Sequence, residues 1–249
     1  MPKPRLEPLV IVPDVHRPYH DRRAWNIFLR AAKALKPKHL VIIGDFADFY
    51  SVSAHSKDPR RAGKLDEELA DVNVGLDELD ALGAKNKIFV EGNHEDRLRR
   101  YIEDKAPELI ANVSVPELFN LKERGWKYVP YKYDTAIGHI NFTHDVGVAG
   151  RNAVFRCLDT YHKSVVTGHT HRLGYIVEGN AAGEQKISAQ FGWLGDAEQV
   201  DYMHRVNVKK NWALGFGVGY VEPRSGLVYL TPVPIVNYTC VVNGELYAG

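Results

Sequence analysis

Three short apolar runs, residues 9–12, 39–43 and 87–90, are each followed at once by a cluster of carboxylate, amide or imidazole side chains. Their length and β-branched content read as strands, and what lies between them reads as helix. Asp21 can cap a helix in which Ala24, Phe28, Ala31 and Leu35 recur at three- and four-residue intervals until Pro37 stops it. Leu65, Leu69, Val72, Leu76 and Leu79 repeat the pattern up to Gly83. Strands alternating with helices build a mainly parallel sheet with crossover connections, so the expected fold class is α/β. After Gly125 the texture changes to strand-like runs at 126–132, 139–143, 163–167, 185–191, 214–221 and 227–236. In the run from Gly215 to Tyr220 the glycines read as bends in a strand. No repeat, low-complexity tract or linker divides the chain, and a single domain over 1–249 is expected. Segments 50–63 and 105–124 read as loops over a face, where function often sits.

The strand ends carry the chemistry. The first leads into Asp14-Val15-His16, the second into Gly44-Asp45-Phe46-Ala47-Asp48, and the third into Gly92-Asn93-His94-Glu95. Two later runs lead into His144-Asp145 and Gly168-His169-Thr170-His171. In an open α/β sheet the carboxyl ends of the strands form the rim where ligands bind, so side chains far apart in sequence converge there. Glycines before Asp45 and Asn93 let the chain turn sharply. Hard oxygens mixed with imidazoles, without thiolate, suit Mn2+, Fe or Zn2+ better than copper or an iron–sulfur cluster. The two cysteines, Cys157 and Cys240, form no CxxC pair, which argues against a disulfide framework or a thiolate zinc site and fits a reducing cytoplasm. A formal charge of +1 sets up no global basic field, so basic clusters are weighed locally. No apolar run approaches the roughly eighteen residues of a membrane helix, and the N-terminal lead is too brief for a signal peptide. No membrane partner is expected.

In order, the blocks DxH, GDxxD, GNHE, a lone His and GHxH resemble the signature of the calcineurin-like metallophosphoesterases. One block alone is weak evidence, but all five in order, each after a strand, form a specific pattern. The overall look is similar to compact phosphoesterases of bacteria and bacteriophage. The resemblance implies a four-layer α/β/β/α sandwich of two mixed β-sheets flanked by helices. It implies two divalent metal ions, one held by Asp14, His16, Asp45 and His171, the other by Asp45, Asn93, His144 and His169, with Asp45 as the bridge. Mn2+ is the first choice, with Fe, Zn2+, Mg2+ or Ni2+ as the others. It further implies in-line attack on phosphorus by a metal-bridging hydroxide, with His94 as general acid and Asp48 orienting His94 or a ligand.

Two departures bear on substrate. Where the phosphoprotein phosphatases of the superfamily place arginines that grip phosphate, this chain has Phe49 and Glu91, which counts against a Ser/Thr protein phosphatase. The fourth block reads His144-Asp145 where the family often has His-Gly. Cations remain on the loops: Lys57, Arg60, Arg61 and Lys64, then Arg97, Arg99 and Arg100, then Arg151 and Arg172. His55, Arg97, Arg151 and Arg172 are the candidate substrate contacts. The expected substrate is a phosphate ester, a diester before a monoester, with a nucleotide or nucleic acid strand as the partner class. The alternatives are a phosphomonoesterase on the same site and a non-catalytic metal-dependent binding module. His20, His39, His139, His162 and His204 read as structural or exposed, and Glu95 and Asp96 as acidic residues favoured in the first turn of a helix. Tyr50, Tyr101, Trp193 and Trp212 are aromatics that stack on bases if exposed and serve the core if not.

Overall fold

In a computed structural model that describes residues 5–55, 64–200 and 211–249, the three expected strands are β1 (Glu7–Val12), β2 (His39–Ile42) and β3 (Asn86–Val90). They run parallel, and β4 (Trp126–Val129) joins β3 in the same direction. The crossovers are α1 (Arg22–Leu35), α2 (Leu65–Asp80), and a longer excursion holding α3 (Asp96–Lys105) and the short α4 (Val115–Leu118). The Asp21 side chain caps α1 by accepting from the Arg23 and Ala24 nitrogens at 3.0 and 2.9 Å, and left-handed Lys36 ends it ahead of Pro37.

The next strands form a second sheet: β5 (Thr135–Ile137), β6 (Ile140–Phe142), β7 (Val165–Val166), β8 (Leu173–Gly179) and β9 (Gln185–Phe191). Its order is β5-β6-β7-β9-β8, parallel in the middle and antiparallel at both edges. Helix α5 (Ala153–Tyr161) packs on β7, β8 and β9. The chain then returns to the first sheet. β10 (Gly215–Glu222) pairs antiparallel with β1, and β11 (Leu227–Pro234) with β10, giving the order β11-β10-β1-β2-β3-β4. A hairpin of β12 (Thr239–Val242) and β13 (Glu245–Ala248) follows and packs on α1.

Strand periodicity explains how the layers stack. In β1 to β3, Leu9, Ile11, Val41, Ile43, Ile88 and Val90 share a cluster with Ile140, Phe142, Val166, Ala189 and Phe191 of the second sheet. The alternate residues Val10, Val12, Leu40, Ile42 and Phe89 share one with Phe28, Ala31, Val72 and Leu76 of the helices. Both faces of the first sheet are thus buried, which is why its strands read as unbroken apolar runs. Fully burying each such side chain stabilises by about 1.5–3 kcal/mol. With α5 outside the second sheet, the layers are helix, sheet, sheet, helix, as the family resemblance implies.

Some elements differ from expectation. The glycines of β10 are not bends: Gly215, Gly217 and Gly219 alternate along a regular strand, and a Cβ on Gly217 would sit 2.8 Å from the Phe191 ring of the other sheet. They let the two sheets approach. The run 163–167 shortens to two residues, and 139–143 becomes the second half of a hairpin turned at Gly138. Strand β8, helix α5 and the β12–β13 hairpin lie where no element was expected. Among the described residues no helix is long and apolar enough to cross a membrane.

Candidate metal centre

The carboxyl ends of β1, β2, β3, β6 and β7 meet at one rim. There the Asp45 carbonyl accepts from both the Val15 and His16 nitrogens at 2.9 Å, locking the first two turns together. Asp45 Oδ1 in turn accepts from the His94 nitrogen at 2.8 Å, tying in the third. Gly92 is the point of closest approach: a Cβ there would collide with the Asp45 carboxylate and backbone nitrogen. His16, Asp45, His169 and His171 all have left-handed backbones, with φ of 57, 49, 67 and 56°. For residues other than glycine this conformation is costly, and such outliers concentrate at functional sites.

Seven side chains converge on the rim. His16 Nε2 lies 3.0 Å from His171 Nε2, and Asp14 Oδ2 lies 3.5 Å from the latter. Asn93 Oδ1 lies 2.7 Å from His169 Nδ1 and 3.0 Å from His144 Nε2, while Asp45 Oδ2 is 3.3 Å from His144 Nε2. Three sets of side chains present close-set donor atoms suited to a metal ion: His16, Asp45 and His171; Asp45, His144 and His169; and His16, Asp48 and His94. Asp45 is common to the first two. Except for the half-buried Asn93 and His169, these residues are buried.

Asp48 stands behind two of the imidazoles. Its Oδ2 lies 3.2 Å from Nδ1 of both His16 and His94, its backbone carbonyl accepts from His94 Nδ1 at 3.1 Å, and these oxygens can only accept, so both Nδ1 atoms carry hydrogen and both Nε2 atoms face the rim. Arg97 extends the network, donating to the Asp48 carbonyl at 2.8 Å and to His94 Nε2 at 3.0 Å.

Electrostatics show why these groups fit cations. Burial pushes the Asp14 carboxyl up to about 7, and its Oδ2 has no hydrogen-bond partner. Burial also opposes ionisation of Asp45 and Asp48, yet nearby imidazoles hold both well below the usual carboxylate range. Burial alone would lower His144, but the Asp45 carboxylate and then Asp14 raise it to about 10. The proton on His144 thus neutralises charge where a metal ion would. His171 is pushed well below its ordinary value by burial and then by His16, leaving it an imidazole free to ligate. The orphaned carboxylate oxygen, paired Nε2 atoms and oxygen–nitrogen donor set suit a hard or borderline divalent metal.

All seven expected ligands meet at the rim, with Asp48 and His94 beside them. Of the expected substrate contacts, Arg172 lines a cleft of ≈ 350 Å³ over Asp45, Asn93, His94, His169 and His171. Ala149 and Gly150 line it too, but Arg151 does not. Arg97 touches His94, while His55 faces a neighbouring groove. Lys57, Arg60, Arg61 and His204 lie outside the described residues. Phe49 is buried and stacks on Phe119 at 5.9 Å, and Glu91 is buried and accepts from the Tyr128 hydroxyl at 2.6 Å.

Sequence reasoning understated two features. Glu95 does more than complement a helix dipole: fully buried, it accepts from the backbone nitrogens of Asp45, Ala47 and Gly92 at 2.9, 2.8 and 2.9 Å, holding the second and third turns in register. Its place closing GNHE was the only signal. Trp193 stacks on His171 at 4.7 Å and Trp212 meets it edge-on at 4.5 Å, so both serve the ligand; Trp212 also reaches the cleft wall.

Comparison with known proteins adds the following. Residues 7–173 match the family model described as calcineurin-like phosphoesterase. The chain is 28% identical over 255 residues to the gene 54 protein of Mycobacterium phage D29, covering 96% of this chain and 98% of that one. It is also 28% identical over 261 residues to the gene 54 protein of Mycobacterium phage L5, with the same coverage. Among solved structures, Vacuolar Protein Sorting 29 from Cryptosporidium parvum aligns over 97% of this chain and 94% of that one, with a TM-score of 0.48 at 15% identity.

Proposed function

Because this chain belongs to the calcineurin-like phosphoesterase family, we propose that it hydrolyses phosphodiesters at a binuclear centre, working as one domain in the cytoplasm. The observation that carries the reading is Asp45, shared by two sets of donor atoms at one rim. Asp14, His16, Asp45 and His171 hold one ion, Asp45, Asn93, His144 and His169 the other, and Mn2+ is the first choice for both. Divalent ions there lower the pKa of water and neutralise charge on the phosphoryl oxygens. Asp48 keeps hydrogen on Nδ1 of His16 and His94, aiming both Nε2 atoms at the rim. His94 takes up a proton at Nε2, releasing the bond it accepts there from Arg97, and passes it to the leaving oxygen, while Arg97 flanks the developing charge. Arg172 meets a non-bridging oxygen across the cleft. Preference for a diester has a physical basis: a monoester dianion calls for paired guanidiniums, whereas Phe49 and Glu91 fill those positions and Arg172 is the one cation among the described residues lining the cleft. The two buried free thiols suit a reducing compartment.

The test is hydrolysis of bis-p-nitrophenyl phosphate and p-nitrophenyl phosphate with and without Mn2+. Diester turnover that needs the metal is expected, lost in Asp45→Ala and reduced about 10²–10⁴-fold in His94→Ala. Turnover of neither ester would leave a binding module, and turnover of the monoester alone would overturn the diester preference.

A further inference from the structure

We propose that a groove beside the metal cleft is a second anion site, taking a phosphate carried on the leaving group of the substrate. The proposal rests on the reading of His94 as the leaving-group acid. The groove, of ≈ 640 Å³, is lined in part by His55, Arg97, Arg100, Tyr101, Asp104 and Lys105. It is larger than the ≈ 350 Å³ cleft over the metal ligands. Arg97 joins the two hollows: it lines the groove and donates at 3.0 Å to Nε2 of His94, which lines the cleft, so the groove adjoins the side of the cleft where His94 meets the leaving group.

The lining selects for anions. Among the described residues of the lining, three permanent cations stand against the single carboxylate of Asp104. A third hollow, beside Glu91, sets Glu91 and Asp96 against Arg99 and Lys132 and has no such bias. The ion pairs in the groove are easily exchanged. Arg100 holds the buried Asp96 at 3.0 Å and Lys105 holds Asp104 at 2.8 Å, and the side chains of Arg100, Lys105 and Asp104 are 55, 62 and 70% exposed. An exposed pair such as Lys105–Asp104 contributes little, and Arg100 leaves Asp96 still paired with Arg99 at 2.7 Å, so a phosphate competes for both cations at little cost. Tyr101, 43% exposed on the same wall, offers a ring on which a base can stack. A phosphate and a flat ring on one leaving group describe a nucleotide, either within a strand or as a free polyphosphate.

The experiment compares kcat/KM, with Mn2+, for dithymidylate and for dithymidylate carrying an extra phosphate at its 5′ or 3′ end. The wild type should favour one phosphorylated form by roughly tenfold, and the ratio should fall towards one in the double variant Arg100→Ala/Lys105→Ala. A ratio of one in the wild type, or an unchanged ratio in the variant, overturns the proposal. Absence of turnover on every substrate counts against the phosphoesterase reading instead, and the groove is then judged by binding alone. Anisotropy of labelled tetrathymidylate in EDTA should show a log-affinity against log-salt slope shallower by about 1.4 in the double variant, the change for two lost phosphate contacts on a single strand. Equal slopes overturn it. Competition by thymidine triphosphate as strong as by unlabelled tetrathymidylate supports the anion site and assigns it to free polyphosphates; weaker competition supports it as a strand site.

Discussion

Asp48 sets the orientation of two imidazoles, and its replacement by asparagine keeps the shape while turning an NH2 group towards the bond its Oδ2 accepts from His16 Nδ1 and towards the nearby His94 Nδ1, which the Asp48 carbonyl also holds. Asp48→Asn should therefore lower Mn2+-dependent kcat on bis-p-nitrophenyl phosphate about 10–100-fold with an unchanged circular dichroism spectrum. Glu68 gives a prediction in pH. It accepts from the Ser51 hydroxyl at 3.1 Å, and burial, then the charge of Asp48, raise its carboxyl from 4.5 to about 7. A carboxyl raised in the folded state destabilises once ionised, so the penalty is absent below about 4.5 and complete above about 7. Glu68→Gln should raise Tm by roughly 2–6 °C at pH 8 and hardly at all at pH 4.5; an equal shift at both would show that ionisation is not the cause. At this scale the ligand types were legible, because each follows a strand and strand ends share a rim. The roles of Glu95 and Trp193 were not, since two of the three partners of Glu95 lie 48 and 50 residues away and Trp193 meets His171 only in a ring stack.

Among the elements, the turn after β3 tolerates little change. A methyl group on Gly92 meets Asp45 itself, and Glu95 fixes the turn from the far side, leaving little room to relax. Gly92→Ala should weaken Mn2+ binding in calorimetry by tenfold or more while the thermal transition remains cooperative; wild-type affinity would mean that the turn yields. The same tight packing explains which elements could be read in advance. β1, β2 and β3 are buried on both faces and α1 carries its cap and stop, so pattern and position agree. β8 lies at a sheet edge and is largely exposed, β12 and β13 form a half-exposed hairpin, and α5 lacks a side-chain cap, so none advertises itself by periodicity. The glycines of β10 pointed to bends because their actual role, admitting Phe191, depends on a residue of the other sheet.

Across the whole molecule, the proposed ligands divide between the sheets: Asp14, His16, Asp45 and Asn93 follow strands of the first, and His144, His169 and His171 follow strands of the second. Metal ions held by both should stabilise their packing. At about a hundred times its Kd a bound ion contributes about 2.7 kcal/mol, which for a chain of this size should raise Tm by roughly 5–10 °C on adding Mn2+ to EDTA-treated protein. Asp45→Asn should abolish that shift, and a wild-type Tm indifferent to Mn2+ would count against the two-sheet ligand set. The order of strands also bears on synthesis. β1 is made some two hundred residues before β10, its neighbour on one side. Until then the backbone of β1 presents an unpaired edge, rich in valine and isoleucine, to every other nascent chain. The strand that bears Asp14 and His16 is therefore the one a growing polypeptide must shield longest, and chaperone demand during translation should centre on it.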